Sequence, residues 1–146
     1  MGLFSTIHHV CIVVHDLETS VAYYESIGVG PWYEYAKGEP YDELDLPNPS
    51  ATMRYRCVDL DNIQLQLCQP GPEDSPQRRF LERCGEAVYH LGFDVDDRDA
   101  AEAEGRSRGM GIISRGRRND GSGFCYFDTR ADAGVVLEIR KSPPVA

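Results

Sequence analysis

The sequence has no apolar run long enough to cross a membrane. Its longest stretches, such as Val10 to Val14, are strand-length, against the ~20 residues that a spanning helix needs. It has no surplus of positive charge either. Fifteen Lys and Arg stand against 24 Asp and Glu, a formal net charge of -9, which argues against the basic face that generic nucleic-acid binding requires. No CxxC pair occurs, and the five cysteines, Cys11, Cys57, Cys68, Cys84 and Cys125, are odd in number. They read as reduced thiols, mostly packed as small hydrophobes. No GxGxxG or GxxxxGK phosphate loop is present, because Gly28-Val29-Gly30 has the wrong spacing and follows a helical stretch. No basic segment leading into a long apolar one opens the chain, so the expectation is a cytoplasmic protein.

What is present is an ordinary globular balance, 41% hydrophobic and 27% charged over 146 residues, enough for a single domain with its own core. The most informative feature is an internal repeat. His9-Val10-Cys11-Ile12-Val13-Val14-His15-Asp16 and His90-Leu91-Gly92-Phe93-Asp94-Val95-Asp96-Asp97 share the pattern His, apolar, x, apolar, x, Val, x, Asp. The alternation in each predicts a strand with one apolar face. Asp16 and Asp97 are natural caps for a following helix. Strands are expected again at Thr52 to Val58 and Ile63 to Cys68, and at Phe124 to Asp128 and Val135 to Arg140. Pro31 to Ala36 and Gly111 to Ser114 are candidates for the remaining strand of each copy, and Lys37 to Ser50 reads as a loop. The order is βαβββ, repeated: an α+β chain with module one at about 5–70, a linker and a short helix from Ser75 at about 71–86, module two at about 87–141 and a loose tail at 142–146.

Four strands carry apolar residues on one face: Val10, Ile12, Val14; Ile63, Leu65, Leu67; Leu91, Phe93, Val95; and Val135, Leu137, Ile139. Their opposite faces carry His9, Gln66, His90 and Glu138. The two histidines fall at equivalent positions of the two copies, and so do Gln66 and Glu138. Any one of these residues fits an ordinary half-exposed sheet. Four ligand types at repeat-equivalent positions point instead to a mixed nitrogen and oxygen site for a divalent transition ion, with open positions for water or substrate.

The segments 7–32, 63–70, 80–97 and 124–139 resemble the vicinal oxygen chelate superfamily, also called the glyoxalase, bleomycin-resistance and extradiol-dioxygenase fold. The nearest likeness is to its methylmalonyl-CoA epimerase branch, through FLERCGEAVYHLGF and LQLCQP. The resemblance implies two tandem βαβββ modules forming a cupped mixed sheet around a central metal and substrate cavity, usually in a homodimer. It implies metal ligands at His9, Gln66, His90 and Glu138, one divalent ion per chain drawn from cobalt, nickel, manganese, zinc or iron, and Glu138 as a ligand that also serves as catalytic base. The branch's other base, a glutamate just before the strand at Thr52 to Val58, has no counterpart here: Ser50, Ala51 and Thr52 stand in its place. Glu43 and Asp42, in the preceding loop, are the substitutes to consider.

Arg54 and Arg56 are candidates for holding a substrate carboxylate or phosphate. Tyr126, with Trp32, Tyr33, Tyr35 and Phe124, is a candidate for lining the cup. Arg115, Arg117 and Arg118 read as a basic loop able to meet an anion. The expected function is metal-dependent abstraction of a proton next to a carbonyl, in an epimerase or other isomerase of a small acyl-CoA or keto compound. Alternatives are a glyoxalase I-type lyase and a metal-free small-molecule-binding or resistance protein. Dioxygenase chemistry is disfavoured by the fourth ligand.

Overall fold

The computed structural model describes residues 2–36 and 38–144. In chain order the elements are β1 (Ile7–Val13), α1 (Leu17–Ser26), β2 (Tyr33–Glu34), β3 (Glu43–Asp45), β4 (Met53–Asp59), β5 (Gln64–Pro70), α2 (Pro76–Cys84), β6 (Ala87–Asp94), α3 (Arg98–Ser107), β7 (Ile112–Arg117), β8 (Gly123–Phe127), α4 (Arg130–Ala133) and β9 (Val136–Lys141). The class is α+β with mixed strand pairing. Of the expected tail, 145 and 146 lie outside the described residues, as does Lys37 at the start of the expected loop.

The chain forms two units, one of residues 9–36 and 48–89, the other of residues 2–8, 38–47 and 90–144. The repeat is visible in their pairings. In the first unit β1 runs parallel to β5, β5 antiparallel to β4, and β4 antiparallel to β2. In the second, β6 runs parallel to β9, β9 antiparallel to β8, and β8 antiparallel to β7.

Local chemistry explains where the helices begin. Asp16 accepts a hydrogen bond from the Thr19 amide at 3.1 Å, and Asp97 accepts one from Ala100 at 2.9 Å. Ser75 accepts from Arg78 at 3.0 Å, with Pro76 in the first turn of α2. Each cap satisfies an amide that has no partner inside its helix. Val14, Leu17 and Leu67 form the buried centre of the first unit, with Ile12, Val21, Tyr24 and Trp32 around them. Ala101, Cys125, Phe127 and Ile139 form that of the second, with Phe4, Val95 and Met110.

Two segments differ from the sequence reading. The expected loop contains β3, whose Glu43, Leu44 and Asp45 pair with Arg117, Gly116 and Arg115 of β7. The expected basic loop is largely strand, because β7 continues to Arg117. The alternation of Arg115 and Arg117 turns both side chains to the acids of α3. Arg115 meets Glu102 at 2.6 Å and Arg117 meets Asp99 at 3.0 Å.

Candidate functional site

Strand register positions the four candidate ligands. In the first unit His9 pairs with Gln64 and Cys11 with Gln66. In the second, His90 pairs with Val136 and Gly92 with Glu138. In both, the oxygen donor stands opposite the residue two places after the histidine. Residues two apart share a face, so each unit presents an imidazole and an oxygen donor on one side of its parallel strand pair. All four are buried: His9 is 3% exposed, Gln66 6%, His90 2% and Glu138 5%. Burial of ligand-type side chains at this density, away from the aliphatic layer, is costly without compensating contacts.

In the second unit His90 Nε2 and Glu138 Oε1 converge to 3.3 Å. Two ligands on one divalent ion, each about 2.1 Å from it at adjacent coordination positions, stand roughly 3 Å apart, so this pair fits shared coordination. Tyr126 lies opposite Glu138 on β8, and its ring meets that of His90 edge to face at 4.9 Å between centroids. Ser114 and Tyr126 are partners in turn. Phe124 shares this face and carries Tyr41 at 5.3 Å, with the Arg118 guanidinium 4.0 Å above the Tyr41 ring. Gly116 is required there, because a Cβ would fall 2.5 Å from Phe124 and 3.0 Å from Tyr41.

In the first unit the Gln66 amide nitrogen donates to Gln64 Oε1 at 2.6 Å. Gln64 Nε2 donates to Asp59 Oδ1 at 3.1 Å and to the Tyr33 hydroxyl at 3.0 Å. Tyr33 donates to Asp59 Oδ1 at 2.8 Å. The Tyr33 hydroxyl is pushed up to about 12, by burial first and then by hydrogen bonding to Asp59, so it remains a donor at neutral pH. Cys57 stands opposite Gln66 on β4. Burial and then the Asp59 charge push its thiol up to about 12, so it is a neutral wall rather than a nucleophile.

The candidate substrate arginines lie elsewhere. On β4, Arg54 and Arg56 alternate with Tyr55 and Cys57, and therefore face away from Gln66. Arg54 pairs with Glu18 of α1 at 2.6 Å, and Arg56 with Glu34 at 3.3 Å and Glu18 at 3.6 Å. The substitute bases are committed too. Asp42 accepts from the Asn119 amide at 2.6 Å, and Glu43 pairs with Arg117 at 3.2 Å. Cys125, considered as a cavity residue, belongs to the core layer with Phe127 and Ile139, and burial pushes its thiol up to about 12. The residues that sequence reasoning passed over are Gln64 and Asp59. The signal for Gln64 was present, since it alternates with Gln66. Asp59 was legible only as a turn residue.

The class that this arrangement defines is a repeated α+β protein with a histidine and an oxygen donor on one face of each parallel strand pair. Residues 8–126 match the model of the glyoxalase/bleomycin resistance protein/dioxygenase superfamily, and the chain belongs to that superfamily. Among curated relatives it is 28% identical over 122 residues to an ethylmalonyl-CoA/methylmalonyl-CoA epimerase of Cereibacter sphaeroides, covering 82% of this chain and 83% of that one. Its fold is that of methylmalonyl-CoA epimerase from Mycobacterium tuberculosis, with a TM-score of 0.75, 23% identity, and coverage of 99% and 92% of the two chains. A Streptomyces coelicolor methylmalonyl-CoA epimerase variant in complex with 2-nitronate-propionyl-CoA is similar at a TM-score of 0.72 and 25% identity, covering 97% of this chain and 99% of that one.

Proposed function

We propose that the chain is a divalent-metal-dependent isomerase of epimerase type, which removes the proton α to the carbonyl of an acyl-CoA or small keto substrate. His9, Gln66, His90 and Glu138 are its ligands. The observation that carries this reading is the equivalent histidine and oxygen-donor pair of the two units, with His90 and Glu138 already converged at 3.3 Å. The similarity to acyl-CoA epimerases supports the reaction class.

When bound, a divalent cation draws electron density from the substrate carbonyl and so acidifies the adjacent C–H. The chain's own residues do the rest. Glu138 receives the α-proton on a carboxylate oxygen, since its buried position excludes bulk water from the transfer. Tyr126, packed edge-on against His90, fixes that imidazole and supplies an aromatic wall for the acyl group. Gln66 contributes a neutral amide oxygen, which leaves the site one negative charge fewer than a second carboxylate would. Arg54 and Arg56 are assigned to ion pairs with α1 and β2 instead of to substrate. With Ser50 in place of the branch's other glutamate, Glu138 both takes the α-proton and returns it, and inversion requires the planar enolate to turn its other face to Glu138 before the proton goes back to carbon. A homodimer and a cytoplasmic location belong to the same reading.

The test is elemental analysis of untagged protein purified without chelator, followed by deuterium exchange into acyl-CoA and keto substrates in heavy water. About one metal per chain, lost on His90→Ala together with α-proton exchange, is the expected result. A protein that holds no metal, and takes up none of cobalt, nickel, manganese or zinc, would sink the enzyme reading and leave a binding protein.

A further inference from the structure

We propose that Asp59, acting through Gln64, sets the orientation of the Gln66 side-chain amide so that its oxygen, not its nitrogen, is the atom offered to the metal. This rests on the metal reading above. Asp59 and Gln64 are positioning residues, since they act only through Gln66.

A glutamine amide presents an oxygen and a nitrogen of nearly equal size, and a half-turn exchanges them. Only the oxygen is a ligand to a divalent ion, so an unanchored Gln66 would present the wrong atom part of the time. The anchor runs inward from Asp59, which as a carboxylate accepts and never donates. Tyr33 spends its one hydrogen on Asp59 Oδ1 at 2.8 Å and has only lone pairs left for Gln64. Two acceptors therefore face Gln64, and both receive its NH2 group, at 3.1 and 3.0 Å. That fixes Gln64 Oε1 on the other side, where it accepts from Gln66 Nε2 at 2.6 Å. The Gln66 oxygen is thereby turned away from Gln64. Reversing Gln66 alone would set two carbonyl oxygens against each other. Reversing both glutamines would set Gln64 Oε1 against the carboxylate.

The backbone supports the same chain of contacts. Asp59 stands opposite Gln64, and Cys57 opposite Gln66, in the β4–β5 register, while Tyr33 stands opposite Cys57 on β2. Three adjacent strands thus bring the four side chains to one face. Asp59 is exposed and Gln66 buried, so the orientation is imposed from the surface. The repeat supplies an internal control. In the second unit the position equivalent to Gln64 is Val136, beside a ligand that is a carboxylate. Glutamate offers oxygen in either orientation and needs no such anchor.

The experiment is a double-mutant cycle read by calorimetric titration of metal-free full-length protein with cobalt chloride. Asp59→Lys replaces the acceptor by a donor and reverses the whole sequence of contacts. Its cobalt affinity should fall about 10- to 100-fold. In a Gln66→Glu background the same Asp59→Lys change should cost far less, because either carboxylate oxygen can bind. Simple charge repulsion from the lysine is common to both backgrounds and cancels in the comparison. An Asp59→Lys protein that binds cobalt like the parent overturns the proposal. So does an equal loss in both backgrounds, which would make Asp59 a structural or purely electrostatic residue. A parent chain that binds no cobalt overturns the metal reading itself, and this proposal with it.

Discussion

Glu138 is assigned two duties, ligand and base, and one substitution separates them. Glu138→Gln keeps an oxygen donor of the same reach but removes the basicity. Metal content should persist, while α-proton exchange in heavy water, followed by NMR, falls about 10²- to 10⁴-fold. Loss of metal alongside the exchange would leave the ligand duty as the whole explanation. At this scale the burial of the four proposed ligands on the sheet was legible as a pattern, because period-two alternation sets His9, Gln66, His90 and Glu138 opposite the aliphatic residues expected on their own strands. On β4 the alternation does not by itself say which set faces the proposed ligands: Cys57 stands opposite Gln66, while Arg54 and Arg56, the candidates for holding a substrate anion, take the other side with Glu18. Long guanidinium stems can cover apolar surface and keep their charged ends at its edge, so hydropathy alone does not decide between the faces of such a strand.

The helices show what replaces an apolar stripe when a sequence has little of one. In α3 the sequence offers only alanines to the core. Arg98, 1% exposed, anchors the helix instead, donating to Gly116 O at 3.1 Å, Phe124 O at 3.2 Å and Glu102 at 2.6 Å. Burial alone would raise the Glu102 carboxyl, but hydrogen bonds from Arg115 and Arg98 outweigh it and hold the group below its ordinary 4.5. A depressed folded value means that the stabilisation is fully present above about 4.5 and is lost as pH falls through the folded value. Glu102→Gln should therefore lower stability at neutral pH, by about 1–3 kcal/mol, and flatten its fall below pH 4.5. Urea unfolding across that range checks both, and an unchanged slope would exclude Glu102 from the acid transition. Gly105, in the same helix, tests packing against propensity. Alanine is favoured over glycine in a helix by about 1 kcal/mol. A Cβ at 105, however, would run into the Phe127 ring, which is fully buried, and overpacking costs about 1–3 kcal/mol. Gly105→Ala should accordingly destabilise, and a raised urea midpoint would contradict this.

At the scale of the whole molecule, the repeat was legible because strand, cap and helix recur in the same order in both copies. The membership of residues 38–47 was not. In sequence they sit inside the first copy, flanked by β2 and β4, and their prolines and glycine suggest an ordinary loop. In the structure they belong to the second unit. The cause is charge pairing between segments about 70 residues apart. Glu43 faces Arg117 and Arg115, Asp45 faces Arg115 at 3.4 Å, and the Arg118 guanidinium donates to Glu39 O at 2.8 Å. Local hydropathy carries no signal for such a pairing. Each exposed ion pair contributes only about 0.2–1 kcal/mol, so the segment is held by several weak contacts together with the Tyr41 stack on Phe124. Reversing two charges, in Glu43→Arg with Asp45→Arg, would turn attraction into repulsion against a strand that already carries two arginines. Hydrogen exchange should then quicken in β7 and β8, far along the chain, while β4, only eight residues beyond Asp45, keeps its protection. The opposite pattern, with exchange rising in β4 and not in β7, would return the segment to the unit that flanks it in sequence.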